Sequence, residues 1–185
     1  MPIYVAFKSL YDLVLMSDEK LRLYTRDPHA KTVERELLER SLRNAGLIGR
    51  TIETTSDERR FRPGERFVDL VRFDPPQPDA HCTIEIPESL DQIDFLGGSN
   101  VQSPDCPHCG IVMENWKRSA LAMTCDACGS AFAPWEADWH HSNAFGRYTV
   151  DIRGIGLGDA VPSNELLVAL EGTNGVGWDY FYYIA

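Results

Sequence analysis

Four of the five cysteines in this 185-residue chain fall in two close pairs, Cys106-Pro-His-Cys109 and Cys125-Asp-Ala-Cys128. A single pair of this kind can cycle between dithiol and disulfide. That chemistry needs a thiol whose pKa is lowered, as at a helix N-terminus. Two pairs with fifteen residues between them offer something else, four thiolates converging on one metal ion. Each pair is followed by glycine, Gly110 and Gly129. A metal knuckle turns its amide N–H groups toward the thiolates, and glycine permits the positive φ this requires. The residues after Gly110, Ile-Val-Met-Glu-Asn-Trp, read as β-like, so the helix that a redox pair needs is missing.

Taken alone, Cys-Pro-His-Cys resembles the active site of periplasmic thiol oxidases. The complete C-x2-C-x15-C-x2-C pattern resembles the zinc-ribbon family, two CxxCG knuckles bridged by a short β-hairpin, over about residues 102–135. The resemblance implies that Cys106, Cys109, Cys125 and Cys128 hold one structural Zn2+. Four thiolates close a tetrahedral site and leave no position for substrate. The metal's binding energy is then folding energy. Trp116 and Phe132 are the side chains expected to cover such a ribbon. Iron in a rubredoxin-like site uses similar knuckles, so the ligands alone do not choose the metal.

Other residues invite weaker readings. Asp138, His140 and His141 follow a tryptophan-rich stretch and, with Arg147 nearby, outline a candidate acid–base or second metal site. His108, inside the first knuckle, is expected to face solvent. "RGIGLGD" (residues 153–159) lies between a strand and a helix, the setting of a dinucleotide-binding turn, but Asp159 stands where the third glycine belongs. It reads as a flexible turn. Arg59, Arg60, Arg62 and Arg66 surround a Pro-Gly pair and read as a charged hairpin loop. The opening "MPIYV" resembles tautomerases that use an N-terminal proline as base, which would be Pro2, though no partner arginine can be assigned. No P-loop, GxSxG or HExxH motif occurs.

These residues need elements to hold them. Asp27 and Pro28 suit a helix start, and Val33, Leu37, Leu38, Leu42 and Ala45 recur at helical spacing. The spacing predicts a helix over about 28–45, stopped by Gly46 in a left-handed cap with Leu47 after it. Its Glu and Arg pairs at i,i+4 read as a solvated face. Ile3–Phe7, Tyr11–Met16, Phe67–Phe73 and Cys82–Ile86 read as strands, with Cys82 a buried core thiol. A short helix is expected over Glu88–Leu96. Tyr148, Val150 and Ile152 alternate with polar residues in a half-buried strand. Ser163 caps a short helix carrying Leu166, Leu167 and Leu170, and "WDYFYYIA" closes the chain as a strand apolar on both faces. Strand, helix, strand in this order suggests a βαβ unit. The last strand should be internal to its sheet or covered on both sides.

Hydrophobic residues make up 43% of the chain, a globular value. Net charge is −10 and uneven: residues 20–72 carry 13 basic against 9 acidic side chains, residues 73–185 carry 4 against 16. That balance works against a phosphate backbone and suits a basic protein partner. No run approaches the ~20 apolar residues of a membrane span, and no leader is read at the N-terminus. With an odd cysteine count, the expected compartment is the cytoplasm.

The expected architecture is α+β: one mixed-sheet domain from residues 1–101 and 136–185, with a zinc-ribbon hairpin module inserted at 102–135. The expected role is non-enzymatic, a bacterial-type cytosolic protein that binds another protein in a regulatory or immunity-like setting. Two alternatives stand beside it. One is an enzyme with its site near Asp138, His140 and His141; the other is a nucleic-acid-associated ribbon.

Overall fold

The computed structural model of the protein describes residues 19–55, 57–76, 82–118 and 122–185. The strands expected at Ile3–Phe7 and Tyr11–Met16, and Pro2, lie outside these residues. The main sheet has six strands in the order β12-β1-β10-β5-β3-β2. They are β1 (Lys20–Thr25), β2 (Ile48–Thr54), β3 (Glu58–Pro63), β5 (Thr83–Pro87), β10 (Thr149–Arg153) and β12 (Trp178–Tyr183). Every pairing is antiparallel, so the sheet is not mixed. β10 and β12 do run in the same direction, as the strand–helix–strand reading suggests. They are not neighbours, because β1 lies between them and pairs with both.

β1 went unrecognised in the sequence although Lys20-Leu-Arg-Leu-Tyr alternates cleanly. Leu21 and Leu23 face Ile152 and Val150 on one side and Tyr182 and Tyr180 on the other. With Phe61 and Ile84 they form the apolar face of the sheet. Helix α1 (Arg35–Ala45) covers that face with Leu38 and Leu42, and α3 (Asn164–Glu171) covers it with Leu166 and Leu170. Each such side chain contributes about 2 kcal/mol by leaving water.

α1 starts later than expected. The Asp27 carboxylate accepts from the His29 amide at 2.9 Å and closes a turn, and the helix begins only at Arg35. Val33 reaches the core from non-helical chain. Leu37 points outward, 40% exposed, because it lies about 100° round the helix from Leu38 and off the stripe that Leu38 and Leu42 share. The expected stop is present: Gly46 has φ +83°, its N–H bonds the Arg43 carbonyl, and Leu47 is fully buried. Ser163 caps α3 by accepting from Leu166 N–H at 3.2 Å.

Three other expectations change. Residues 67–73 are a one-turn helix α2 (Phe67–Leu70) running into β4 (Val71–Phe73), which pairs with β11 (Ala160–Pro162). Residues 88–96 form no helix: they are a loop ending in β6 (Asp94–Phe95), which pairs with β9 (Phe145–Gly146). The arginines of 59–66 do not sit in a hairpin loop. Arg59 and Arg60 lie within β3, Arg59 joining Glu39 of α1 at 2.9 Å, and Arg66 is bidentate to Glu165. "RGIGLGD" is a turn, with Gly154 and Gly158 at positive φ and Asp159 bonded back to Gly156 N–H.

The largest departure concerns the second face of the sheet. Asp151 and Glu85 stand on the polar sides of alternating strands, yet they are 0% and 1% exposed. They face each other across β10 and β5 within a row that continues through Arg22 on β1 and Arg60 on β3. Arg22 grips Asp151 with two bonds of 2.7 Å, and Lys20 approaches the same carboxylate at 2.6 Å. Arg60 reaches Glu85 at 2.7 Å and Arg153 reaches it at 2.6 Å. Tyr183 lies over the Arg22 and Lys20 cations, each 4.7 Å from the ring centre. Burial pushes the Asp151 carboxyl up, but Arg22 and Lys20 outweigh it and hold the group below its ordinary value.

β12 is the edge of the sheet rather than an internal strand. Its two faces are covered, Tyr180 and Tyr182 by the main core and Phe181 by Leu96 and Ala144. Its free rim is satisfied from outside the sheet: Tyr182 N–H donates to the His141 carbonyl, and Asn100 bonds Tyr182 and Ile184. That cover protects an edge which would otherwise invite further strands. Among the described residues, no helix is long and apolar enough to cross a membrane.

Candidate metal centre and adjoining cavity

Two matched turns build the cysteine site. In the first, Cys106 N–H bonds the Ile111 carbonyl and Gly110 N–H bonds the Cys106 carbonyl. In the second, Cys125 N–H bonds Ser130 and Gly129 N–H bonds Cys125. Gly110 and Gly129 have φ of +70° and +72°, the left-handed geometry that their type allows. A Cβ at either would meet nothing within 4 Å, so conformation and not space selects glycine there. The first turn is closed by the bridge of Asp105 to Val112, the second by the pairing of β7 (Met123–Thr124) with β8 (Ala131–Phe132). Neither cysteine pair opens a helix.

All four sulfurs lie within 4.8 Å of one another, and no disulfide joins them. Cys106 and Cys128 are 3.8 Å apart, Cys109 and Cys125 3.7 Å. A tetrahedron of thiolates with metal bonds of about 2.3 Å has edges of about 3.8 Å. The group is therefore positioned to bind a metal ion, and its dimensions are compatible with zinc. The inner ligands Cys106 and Cys125 are buried, and Cys109 and Cys128 face outward. The Ser130 hydroxyl and amide draw the Cys128 thiol down to about 6. Cys109 accepts from Ile111 N–H, which lowers it, but desolvation and the neighbouring sulfurs together push it up to about 12. One thiol thus ionises easily and another resists, so a cation that stabilises all the thiolates displaces protons on binding.

Beneath the sulfurs lies an aromatic cluster. Phe132 and Trp116 both belong to it, as expected. Trp116 packs edge-to-face on Trp139 at 5.0 Å, and Trp139 contacts Phe95 and Phe145. Trp139 itself was missed as a core residue: it is 6% exposed, and its indole N–H donates to the Pro134 carbonyl. Only the periodicity of a regular element would have flagged it, and this segment has none. Cys82 is buried in the main core, apart from the four clustered thiols.

Asp138, His140 and His141 do fall together, in a role the sequence did not suggest. Asp138 pairs with Asp105 through two backbone bonds, fastening this segment to the first knuckle. The Asp138 carboxylate also holds the His140 amide, and the His140 ring approaches Asp105 at 3.3 Å. His141 stacks on Tyr180 at 4.3 Å, and its Nδ1 lies 2.7 Å from the Tyr180 carbonyl. Both histidines have positive φ, 51° and 54°, a rare geometry for non-glycine residues. The double left-handed bend presents the His141 carbonyl to the edge of β12. Arg147 is not part of this group: it bonds the Leu90 carbonyl instead. His108 is exposed, edge-on to Phe132.

Between the 135–145 segment and the end of β1 lies a cavity of about 320 Å³. Its lining includes Tyr24, Trp135, Asp138, Trp139, Asn143 and Asp179, and both histidines border it. No family model matches the chain, and no curated protein or solved structure matches it either.

Proposed function

We propose that this is a zinc-ribbon protein of protein-binding type. One structural Zn2+ on Cys106, Cys109, Cys125 and Cys128 shapes residues 102–135, and the surface so shaped receives a partner. The observation that carries this reading is that the four sulfurs account for all positions of a tetrahedral ion. A metal held this way organises chain and has no position to offer a substrate. Ile111 and Val112, directly after the first knuckle, are 52% and 54% exposed. The acidic Glu114 and Asp126 line the same groove with one basic side chain, Lys117, which leaves its balance negative. A basic partner with an apolar contact point fits that surface, in a regulatory or immunity-like setting. Zinc–thiolate chemistry also favours a reducing compartment such as the cytoplasm.

Two measurements test it. Native mass spectrometry of protein purified without chelator should show one zinc per chain. Capture of one dominant basic partner should be lost in the Ile111→Asp/Val112→Asp variant while zinc content stays. A metal-free, folded chain with four freely reactive thiols would remove the reading. A second reading, an enzyme using Asp138, His140 and His141, draws on the two left-handed histidines, since such backbone strain concentrates at functional sites. It requires that His140→Gln abolish a turnover and leave the fold intact.

A further inference from the structure

We infer that the cavity beside the metal centre is a binding site for an organic cation of the alkylammonium class. Two observations point the same way.

The first is the wall. Trp135, Trp139, Phe145 and Tyr24 border one space of about 320 Å³, large enough for a small amine or the end of a lysine-like side chain. Trp139 and Phe145 touch at 5.8 Å and Trp135 and Phe145 at 6.4 Å, so the rings form one cluster, of which Tyr24 and Trp135 are the half-buried members at the cavity. Aromatic faces attract cations through the ring quadrupole, and clustered aromatics are a recurrent way of holding ammonium groups.

The second is charge. The cavity's carboxylates are Asp138 and Asp179, and its only fixed cation among the described residues is Arg26. Arg26 is already paired with Asp179 at 3.2 Å, and its side chain is 65% exposed. The chain thus supplies its own guanidinium at the mouth of the site, held loosely enough for a ligand cation to displace it. Burial, followed by the Asp179 and Asp138 carboxylates, raises the Tyr24 phenol, so the ring meets a ligand as a neutral group.

A primary ammonium has three N–H donors, and the Asp138 and Asp179 carboxylates are the acceptors that border the space.

The test is calorimetric titration of the full chain with cadaverine and choline as free cations, N-acetyl-lysine methylamide as a side-chain mimic, and butyrate as the anionic control. Saturable binding of cations and none of butyrate is expected. Preference for the lysine mimic would identify a peptide source, and preference for cadaverine or choline a free amine. Asp179→Asn and Trp135→Leu should each weaken binding about tenfold. Arg26→Ala should tighten it, because an internal competitor is removed, an effect that a merely structural role for Arg26 would not produce. Circular dichroism of each variant separates lost binding from lost fold. Binding of butyrate, weakening by Arg26→Ala, or failure of every cation to saturate the folded wild-type chain would overturn the proposal.

Discussion

The main sheet and the cysteine segment solve the same problem, holding chain in place, by different means. The sheet buries Leu21, Leu23, Phe61, Ile84, Val150 and Ile152 beneath two helices, within one continuous core. The cysteine segment has two-residue strands, a single 3-10 turn and a small aromatic cluster. So little regular structure cannot bury enough apolar surface to offset the chain entropy of its loops. In the proposed reading, a metal on the four cysteines makes up the difference. The contrast extends to charge: the sheet neutralises its buried carboxylates with fixed basic side chains, whereas no basic side chain pairs with the four clustered cysteines among the described contacts.

That contrast can be broken most forcefully by removing the metal. Chelation, or Cys125→Ser, should unfold the cysteine segment, since structural zinc sites contribute on the order of 10 kcal/mol to folding. Hydrogen exchange should show protection lost across residues 104–118 and 122–132 and retained in β1, β5 and β10. Equal loss in both regions would mean that they fold as one unit.

The next largest effect should come from Arg22→Ala. It leaves the fully buried Asp151 with Lys20 alone, and breaking a buried pair in this way costs about 3–5 kcal/mol. Urea titration should record that loss while zinc content is unchanged. A cost below about 1 kcal/mol, the value of a surface pair, would show that the network is not sealed from water.

Acid should act on the two regions in sequence. The folded Asp151 carboxyl is held below its ordinary value of 3.8. A depressed carboxyl stabilises the fold fully above the unfolded value, and that stability is lost as pH falls through the folded one. The thiolates take up protons at higher pH, beginning with those that resist ionisation in the metal-free chain, such as Cys109 near 12. Metal release on acidification should therefore precede unfolding of the sheet. Paired readings of zinc release and far-ultraviolet dichroism check the order.

The smallest effect sharpens the picture of the helix side. Ser163→Ala removes the α3 cap and should cost about 1 kcal/mol in urea titration, with no change in zinc content. A change in metal affinity would reveal coupling from α3 to the knuckles that no contact described above provides.

Much of the candidate site was legible because it is local. Spacing and the two glycines announced the knuckles, and both glycines adopt the left-handed geometry this demands. The Gly46 stop and the Ser163 cap were readable for the same reason, since each depends on residues within one turn. The start of α1 was not. Asp27 has the right type for a cap, but its carboxylate serves a turn at His29. The helix over 88–96 failed because β9 offers residues 94 and 95 a strand partner some fifty positions away.

What the sequence determined by itself is the chemistry that nearest neighbours can specify: which thiols converge, where the backbone turns left-handed, and which strands alternate. What only the tertiary structure decided is the meaning of residues whose partners are distant. Asp151 and Glu85 look like solvent-facing positions until β10 and β5 lie side by side with arginines on either flank. His140 and His141 are two adjacent titratable side chains in the sequence, and only the fold shows that the His141 carbonyl serves the edge of β12. The cavity between Trp135 and Asp179 joins residues more than forty positions apart. Burial and pairing across such distances follow from packing, which a one-dimensional pattern of residue types does not contain.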